Sequence, residues 1–479
     1  MASFRSKLIS QAQSEQNENQ EMNSFYQERH YLLGEEEYDT SQALTYVQGL
    51  AHVKGKLKKE VADALEESTI QRQNGVVIQK NKAYLKKMLE DFTEMITTVV
   101  EEEELRFRGM TSEQFIKQCT SELVGFDILD DAFADDSVSD IFVYAWNKIY
   151  VESHGENKRY ERTFRDEKHY QDFIERLVKQ AEVQFNKGDD KITDFQLFED
   201  RFCAVNQVIS TQSSSLTIRK HGESHIRLSQ IIAAGGMNQD MADLFGLIFK
   251  GQCNLIYAGI TGSGKTTSLR ALVDEFVTDL NRRILTAEDT RELFLENDQT
   301  LELVTFKSKD PNKSITLSHL VKTALRLKPK YILVGEVRGE EAEAAVEAAA
   351  TGHSTSFTMH AEKPIDTINR LVINYQKAMP RLGSDIVERI IGEAIDYVAI
   401  QKNIPGIGRR VVSITEVSYN YEKGRVALKP IMVYDYELNT FKIVGDIAPD
   451  VIDRMLGAGV KMEEIKKWRA KVPNHLEVV

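Results

Sequence analysis

Eight residues, GITGSGKT, run from Gly259 to Thr266 and fit the pattern G-x-x-x-x-G-K-[ST] in full. Gly262 and Gly264 let successive backbone N–H groups turn toward one anion, and a helix starting here adds its partial positive charge. Lys265 is then placed for the β/γ-phosphates of a nucleotide, the Thr266 hydroxyl for Mg²⁺ and Thr267 for the α-phosphate. With Gly259, Thr261 and Ser263 they form one phosphate-binding set.

A phosphate cradle of this kind needs acidic partners. The run YILVGE ends in Glu336, and ILTAED ends in Glu288 and Asp289. Acids at the carboxyl ends of parallel strands can act through a metal's water shell or polarise an attacking water. Residue types alone leave open which acid does which, and strand-end acids also serve as helix caps. A third feature, TGHSTSFTMHA, sets His353 and His360 one short strand apart. Two histidines suggest a metal, but no neighbouring Cys or His supplies a third or fourth ligand at the usual spacing.

The elements that must position these groups show in the hydrophobic pattern. NLIYAG, RRILTAED and YILVGE are short apolar runs rich in β-branched residues. Between them lie helical stretches such as SLRALVDEFVTDL, with Leu269, Leu272, Val273, Phe276, Val277 and Leu280 on one face. Strands alternating with helices predict an α/β domain with a mostly parallel sheet over residues 223–479. Within it, EEAEAAVEAAA reads as a helix ending at Gly352, and VVSITEVSYNYEKGRVALKPIMVYDYE as a hairpin turning at Lys423-Gly424. Residues 79–222 have a different texture, with a helix in KAYLKKMLEDFTEMITTVVEEEELRF and strands in SDIFVYAWNKIYVESHG, RFCAVN and SSLTIRK. They predict a compact α+β domain, followed by a linker in HGESHIRLSQ. Residues 1–78 are polar and read as a helical extension, with VKGKLKKEVADALEE as its clearest helix.

Bulk composition narrows the class. The 479 residues suffice for two or three domains, and 28% charged with 42% hydrophobic residues is globular. A formal net charge of −13 counts against a nucleic-acid partner. Cys119, Cys203 and Cys253 stand apart with no CxxC pair, which argues against a disulfide scaffold and a cysteine zinc site. No apolar run is long enough to span a membrane, and the amino terminus has no signal-peptide core, so the expected location is the cytoplasm.

Taken in order, GITGSGKTT, AEDTRELFL, ALRLKPKYILVGEVRGEEA and TGHSTSFTMHA resemble the motifs of the type II/type IV secretion ATPase superfamily. The similarity is greatest to its branch of Flp-pilus and conjugation-type ATPases, and runs from about residue 110 to about 440. VSDIFVYAWNKIYVESHG and SSLTIRKHGE resemble that branch's N-terminal domain, and IGEAIDYVAIQKNIPGIGRRVVSITEV its C-terminal end. The four-cysteine zinc module common in type II and pilus-extension members is absent.

The resemblance implies a RecA-like P-loop domain that binds ATP and Mg²⁺. It implies Glu288 as the catalytic carboxylate, Glu336 with Thr266 on the metal side, and His360 as a γ-phosphate contact supported by His353. It further implies that Arg201 in DRFCAVN and Arg219 in LTIRK reach the nucleotide, in a cleft between the two domains of a homohexamer. Arg326 and Arg338 are left between a role across the ring and a solvated or salt-bridged one. The implied output is force on an inner-membrane platform protein, with the motor peripheral to the cytoplasmic face. Two rival readings remain, a RecA-like nucleic-acid motor and a ring scaffold that binds ATP without turnover.

Overall fold

The computed structural model describes residues 43–66, 70–73, 76–79, 81–153, 156–181, 183, 185, 191–220, 226–306 and 310–473. The first 42 residues of the expected extension, and residues 221–225 of the expected linker, lie outside the described residues.

The polar amino-terminal region is helical in two pieces, α1 (Tyr46–Lys56) and α2 (Lys58–Glu66), but the expected all-helical extension gives way to two short antiparallel strands, Ile70–Gln73 and Val76–Gln79. A longer helix, α3 (Lys82–Glu102), starts on Asn81, whose side chain accepts the Tyr84 N–H. It buries Met88, Phe92, Ile96 and Val100, four residues apart and therefore on one face. Next come α4 (Ser112–Val124) and α5 (Glu167–Gln180), which flank a six-stranded antiparallel sheet. Its strands are β1 (Val138–Ala145), β2 (Lys148–Ser153), β3 (Glu156–Arg159), β4 (Ile192–Leu197), β5 (Asp200–Val205) and β6 (Ser215–Arg219). Their order is β3-β2-β1-β6-β5-β4. Burial alternates along β5, with Asp200, Phe202 and Ala204 inward, as expected of a sheet with one covered face. Val53, Leu57, Val61 and Ala64 of α1, α2 and their junction join the same core as this sheet.

The second sheet has nine strands: β7 (Leu255–Gly259), β8 (Ile284–Glu288), β9 (Thr300–Val304), β10 (Tyr331–Glu336), β11 (Ser354–Met359), β12 (Tyr397–Ile404), β13 (Gly408–Asn420), β14 (Arg425–Asp435) and β15 (Thr440–Ile443). They lie in the order β9-β8-β10-β11-β7-β12-β13-β14-β15. The first six are parallel, and the last three extend the sheet as an antiparallel meander. The chain is thus mixed α/β.

The inner parallel strands are buried on both faces, which is why they read as continuous apolar runs, while the edge strand β9 is only half-buried. Along β7, Leu255 and Tyr257 enter one core while Ile256 and Ala258 enter the other. The first core is covered by α6 (Gln239–Lys250), α7 (Lys265–Phe276) and the carboxyl-terminal helices, including α8 (Pro449–Gly457). The second lies under helices Glu341–Ala350, Pro364–Ala378 and Ser384–Ala394. Leu269, Leu272 and Val273 of α7 are fully buried, each stabilising the fold by about 1.5–3 kcal/mol relative to exposure. The helix expected to continue to Leu280 instead ends at Phe276. A short 3₁₀ turn, Thr278–Leu280, follows and is closed by Asn281 in the left-handed region.

Candidate functional site

The phosphate cradle begins where β7 ends. Gly262 and Gly264 have φ of +74° and +88°, a backbone that L side chains rarely adopt, and α7 starts at Lys265. A side-chain carbon at Gly262 would meet nothing within 4 Å, so the loop faces open space. Ser263 Oγ donates to the Ile260 carbonyl at 2.8 Å, and Lys265 Nζ donates to the same oxygen at 3.1 Å. Lys265 is buried, and that burial lowers its pKa while the charge of Glu336 opposes the shift. Thr261 is exposed, and Thr266 and Thr267 are half-buried on the first turn of α7.

Two residues that sequence reasoning missed clamp this loop from β12 and β13. Gln401 Nε2 donates to the Ser263 carbonyl at 2.6 Å, while its Oε1 accepts the buried Tyr257 hydroxyl at 2.7 Å. Arg409 Nε donates to the Gly262 carbonyl at 3.2 Å. The available signal was the polar Gln401 within the buried run YVAIQ.

Both acids stand at strand ends, on neighbouring strands. Glu288 ends β8 and is almost fully buried. Its Oε1 accepts the N–H groups of Glu292 and Leu293 at 3.1 and 3.2 Å. Burial pushes the carboxyl up to about 8, against the pull of these two amides. Gly335 on β10 makes the room, since a Cβ there would lie 3.1 Å from Glu288 Cγ. A register shift between Val334 and Glu336 then presents Glu336, at the end of β10, to His360 and Arg338. His360 Nε2 lies 2.7 Å from its Oε1, and Arg338 Nη2 lies 2.9 Å from its Oε2. Arg338 is therefore salt-bridged within the chain, and Arg326 is exposed. His360 follows β11 and is half-exposed, with burial and the Lys265 charge lowering its pKa.

The structure does not bring His353 to His360. A six-residue strand separates them, about 20 Å of extended chain. His353 lies at the amino end of β11, within 3.3 Å of the Thr351 hydroxyl, and cannot support His360 by contact.

The arginines come from the smaller sheet. Arg201 on β5 and Arg219 on β6 are direct cross-strand partners. Arg219 Nε donates to Asp140 at 3.0 Å, and its charge is felt by Lys265 and Glu292. The Arg219 end of the smaller sheet thus faces the cradle. Arg291 spans the same gap, 3.9 Å from Glu199 and 2.6 Å from Glu302.

Among the described residues one cluster has metal-ligating types, Glu122, Asp127 and His169, away from the cradle. It is an ion-pair cluster. Burial raises the Glu122 pKa, but hydrogen bonds from Arg165 and His169 outweigh it and hold the carboxyl at about 2. Burial lowers the His169 pKa, but the Asp127 and Glu122 carboxylates, 2.6 and 3.3 Å from its Nε2, outweigh it and raise it to about 9, so the ring is a cation rather than a metal ligand.

With this geometry in place, comparison with known proteins assigns the class. Residues 125–405 match the family model described as type II/IV secretion system protein, and the chain belongs to that family. It is 29% identical over 206 residues to the conjugal transfer protein TrbB of Rhizobium radiobacter, covering 42% of this chain and 60% of TrbB. It is 34% identical over 174 residues to the type IV secretion system protein VirB11 of Brucella suis biovar 1, covering 35% of this chain and 47% of VirB11. The matches span about half the length of these relatives. Among solved structures, the pilus retraction motor PilT with bound ADP aligns over 72% of this chain and 89% of its own, at 20% identity and a TM-score of 0.44. No helix among the described residues is long and apolar enough to cross a membrane.

Proposed function

We propose that this chain hydrolyses ATP to ADP and phosphate, and that turnover drives a secretion or pilus-assembly machine. One observation carries the reading: a glycine-turned cradle with a buried Lys265 lies in the field of Glu336, with the buried Glu288 on the adjacent strand. The family membership and the resemblance to secretion ATPases support it.

In this proposal the amides of Gly262, Gly264 and Lys265 surround the phosphates, and Lys265 spreads the charge of the transferring phosphoryl group. The hard oxygens of Thr266 and Glu336 suit Mg²⁺, which when bound would neutralise charge on the β- and γ-phosphate oxygens. Glu288 orients the attacking water, and a carboxyl near 8 is poised for proton exchange close to neutral pH. His360 contacts the γ-phosphate, and Arg201 and Arg219 close over it from the smaller sheet. The division into an extension to residue 78, an α+β domain of 79–222 and a RecA-like domain of 223–479 belongs to the same proposal. So do a homohexameric ring, a membrane platform protein as partner, and a cytoplasmic location peripheral to the inner face of the membrane.

The test is steady-state phosphate release with Mg²⁺-ATP, followed against oligomer size for wild type and Glu288→Gln. Turnover that rises with the ring and collapses in the variant supports a motor. A well-formed ring that binds ATP without turnover, with or without its membrane partner, overturns it in favour of a scaffold. Turnover that depends on DNA overturns it in favour of a nucleic-acid motor.

A further inference from the structure

The amino ends of the parallel strands, opposite the cradle, hold a second concentration of charge. Arg282 and Arg283 precede β8, and Lys328 and Lys330 precede β10. The two strands are hydrogen-bonded neighbours, so all four cations line one cavity of about 500 Å³. Gln252, after α6, and Ala458, after α8, close its other side. The chain is acidic overall, yet among the described residues none of the four cations forms an ion pair with a carboxylate.

The Arg282 side chain and the backbones of the two loops are held in place. Arg282 donates to the Tyr331 hydroxyl at 3.1 Å and to the Ala458 carbonyl at 3.5 Å, which Gln252 Nε2 also reaches at 3.5 Å. The Lys330 N–H donates to the Arg283 carbonyl at 2.8 Å, joining the two loops. Lys328 has a φ of +52° immediately before the buried Pro329. That conformation is costly for a residue with a side chain and is held only by its surroundings. Like charges gathered around one void repel one another, and an anion entering it relieves the repulsion.

We propose that this cavity binds a compact anion carrying two or more phosphoryl groups. Its volume falls within the range of small-ligand sites, and it opens broadly to solvent. Two guanidiniums and two ammoniums match several phosphoryl oxygens, with the arginine fork suited to two at once. A nucleic-acid strand would call instead for a basic track with interleaved aromatic rings; the residues lining the cavity include none, and nearby Tyr331 is buried with its hydroxyl committed to Arg282 and the Phe249 carbonyl. The site is distinct from the cradle. β8 and β10 carry Glu288 and Glu336 at their far ends, about 17–20 Å away along the strands.

The test is equilibrium binding of inorganic pyrophosphate to the full chain, in wild type, Lys265→Ala and the double variant Arg283→Gln with Lys330→Gln. Both positions of the double variant are exposed, so the fold is kept. The expected result is a binding event that survives Lys265→Ala, weakens about tenfold or more in the double variant, and fades with added salt. Restoring charge with Arg283→Lys and Lys330→Arg restores it. Binding that disappears in Lys265→Ala and is unchanged in the double variant overturns the proposal, whatever that chain's turnover shows about the cradle. Vesicles of cardiolipin, whose head carries two phosphates, against phosphatidylcholine separate the sources. Capture by the anionic vesicles that pyrophosphate displaces places the phosphoryl groups on a lipid head, and pyrophosphate binding without capture places them on a soluble molecule. Duplex DNA bound through these cations, with no pyrophosphate binding, overturns the small-ligand reading.

Discussion

The two ends of the parallel sheet handle charge in opposite ways. At the carboxyl end each group has an internal answer. Glu336 is paired with His360 and Arg338, Lys265 rests on the Ile260 carbonyl, and Glu288 accepts two amides. At the amino end Arg283, Lys328 and Lys330 gather around a cavity with no carboxylate partner among the described residues. The difference separates preorganisation from plain attraction. A site that must change charge during a reaction keeps its groups balanced until the ligand arrives, whereas a site that only binds can leave its charges uncompensated.

The strongest way to break this contrast is at the carboxyl end. Lys265→Ala and Glu288→Gln should each lower the rate of phosphate release by about 10³-fold or more, since each removes a group acting on the transition state. Retained turnover in Glu288→Gln would transfer the water-orienting role to another group. Next, His360→Ala should lower kcat by about 10²-fold with a smaller change in KM. It frees one oxygen of Glu336, so Mg²⁺ affinity measured by titration should not fall with it.

Glu288 also predicts a pH dependence of stability. Its folded-state pKa, about 8, lies above the ordinary 4.5, so the fold favours the neutral form. The contribution is complete below pH 4.5 and is lost as pH rises through 8. Glu288→Gln removes that loss. Nucleotide-free thermal unfolding should therefore show the variant more stable than wild type at pH 8.5, by roughly 4–5 kcal/mol at most, with the gap closing at pH 4.5. A gap that is constant with pH would show that Glu288 is ionised in the fold.

A smaller effect sharpens the comparison from the other end. Removing two of four repelling cations with Arg283→Gln and Lys330→Gln should raise stability in low salt by a few tenths of a kcal/mol, up to about 0.5. The gain should vanish in high salt. A loss of stability would mean that the cations are answered by acids after all.

Much of the carboxyl end was legible in the sequence because its information is local. GITGSGKT carries its own geometry, and ILTAE and YILVGE announce buried strands that end in acids. The hairpin turn at Gly424 and the helix stop before Gly352 were equally local. What could not be read came from pairing across the fold. Gln401 and Arg409 reach the loop from well over a hundred residues away, only because β12 lies beside β7. The pairing of Glu336 with His360 depends on β10 lying beside β11 with a shifted register. Burial of Glu288 depends on the missing side chain of Gly335, on another strand. The four cations belong to two loops joined only by strand order, and the helices of residues 43–66 show their share in the core only once α3 and the smaller sheet are packed.

β11 turns the two histidines into a pair of spectroscopic reporters. His360 answers to Glu336 and Lys265 at one end, and His353 to Lys330 at the other, where burial and that charge lower its pKa. Their imidazole proton resonances, followed through a pH titration, would read the two ends of one strand independently in the same sample. A nucleotide should move the His360 curve alone. An anion in the basic cavity should offset Lys330 and shift the His353 curve upward, which makes one strand a two-channel gauge of which end is filled.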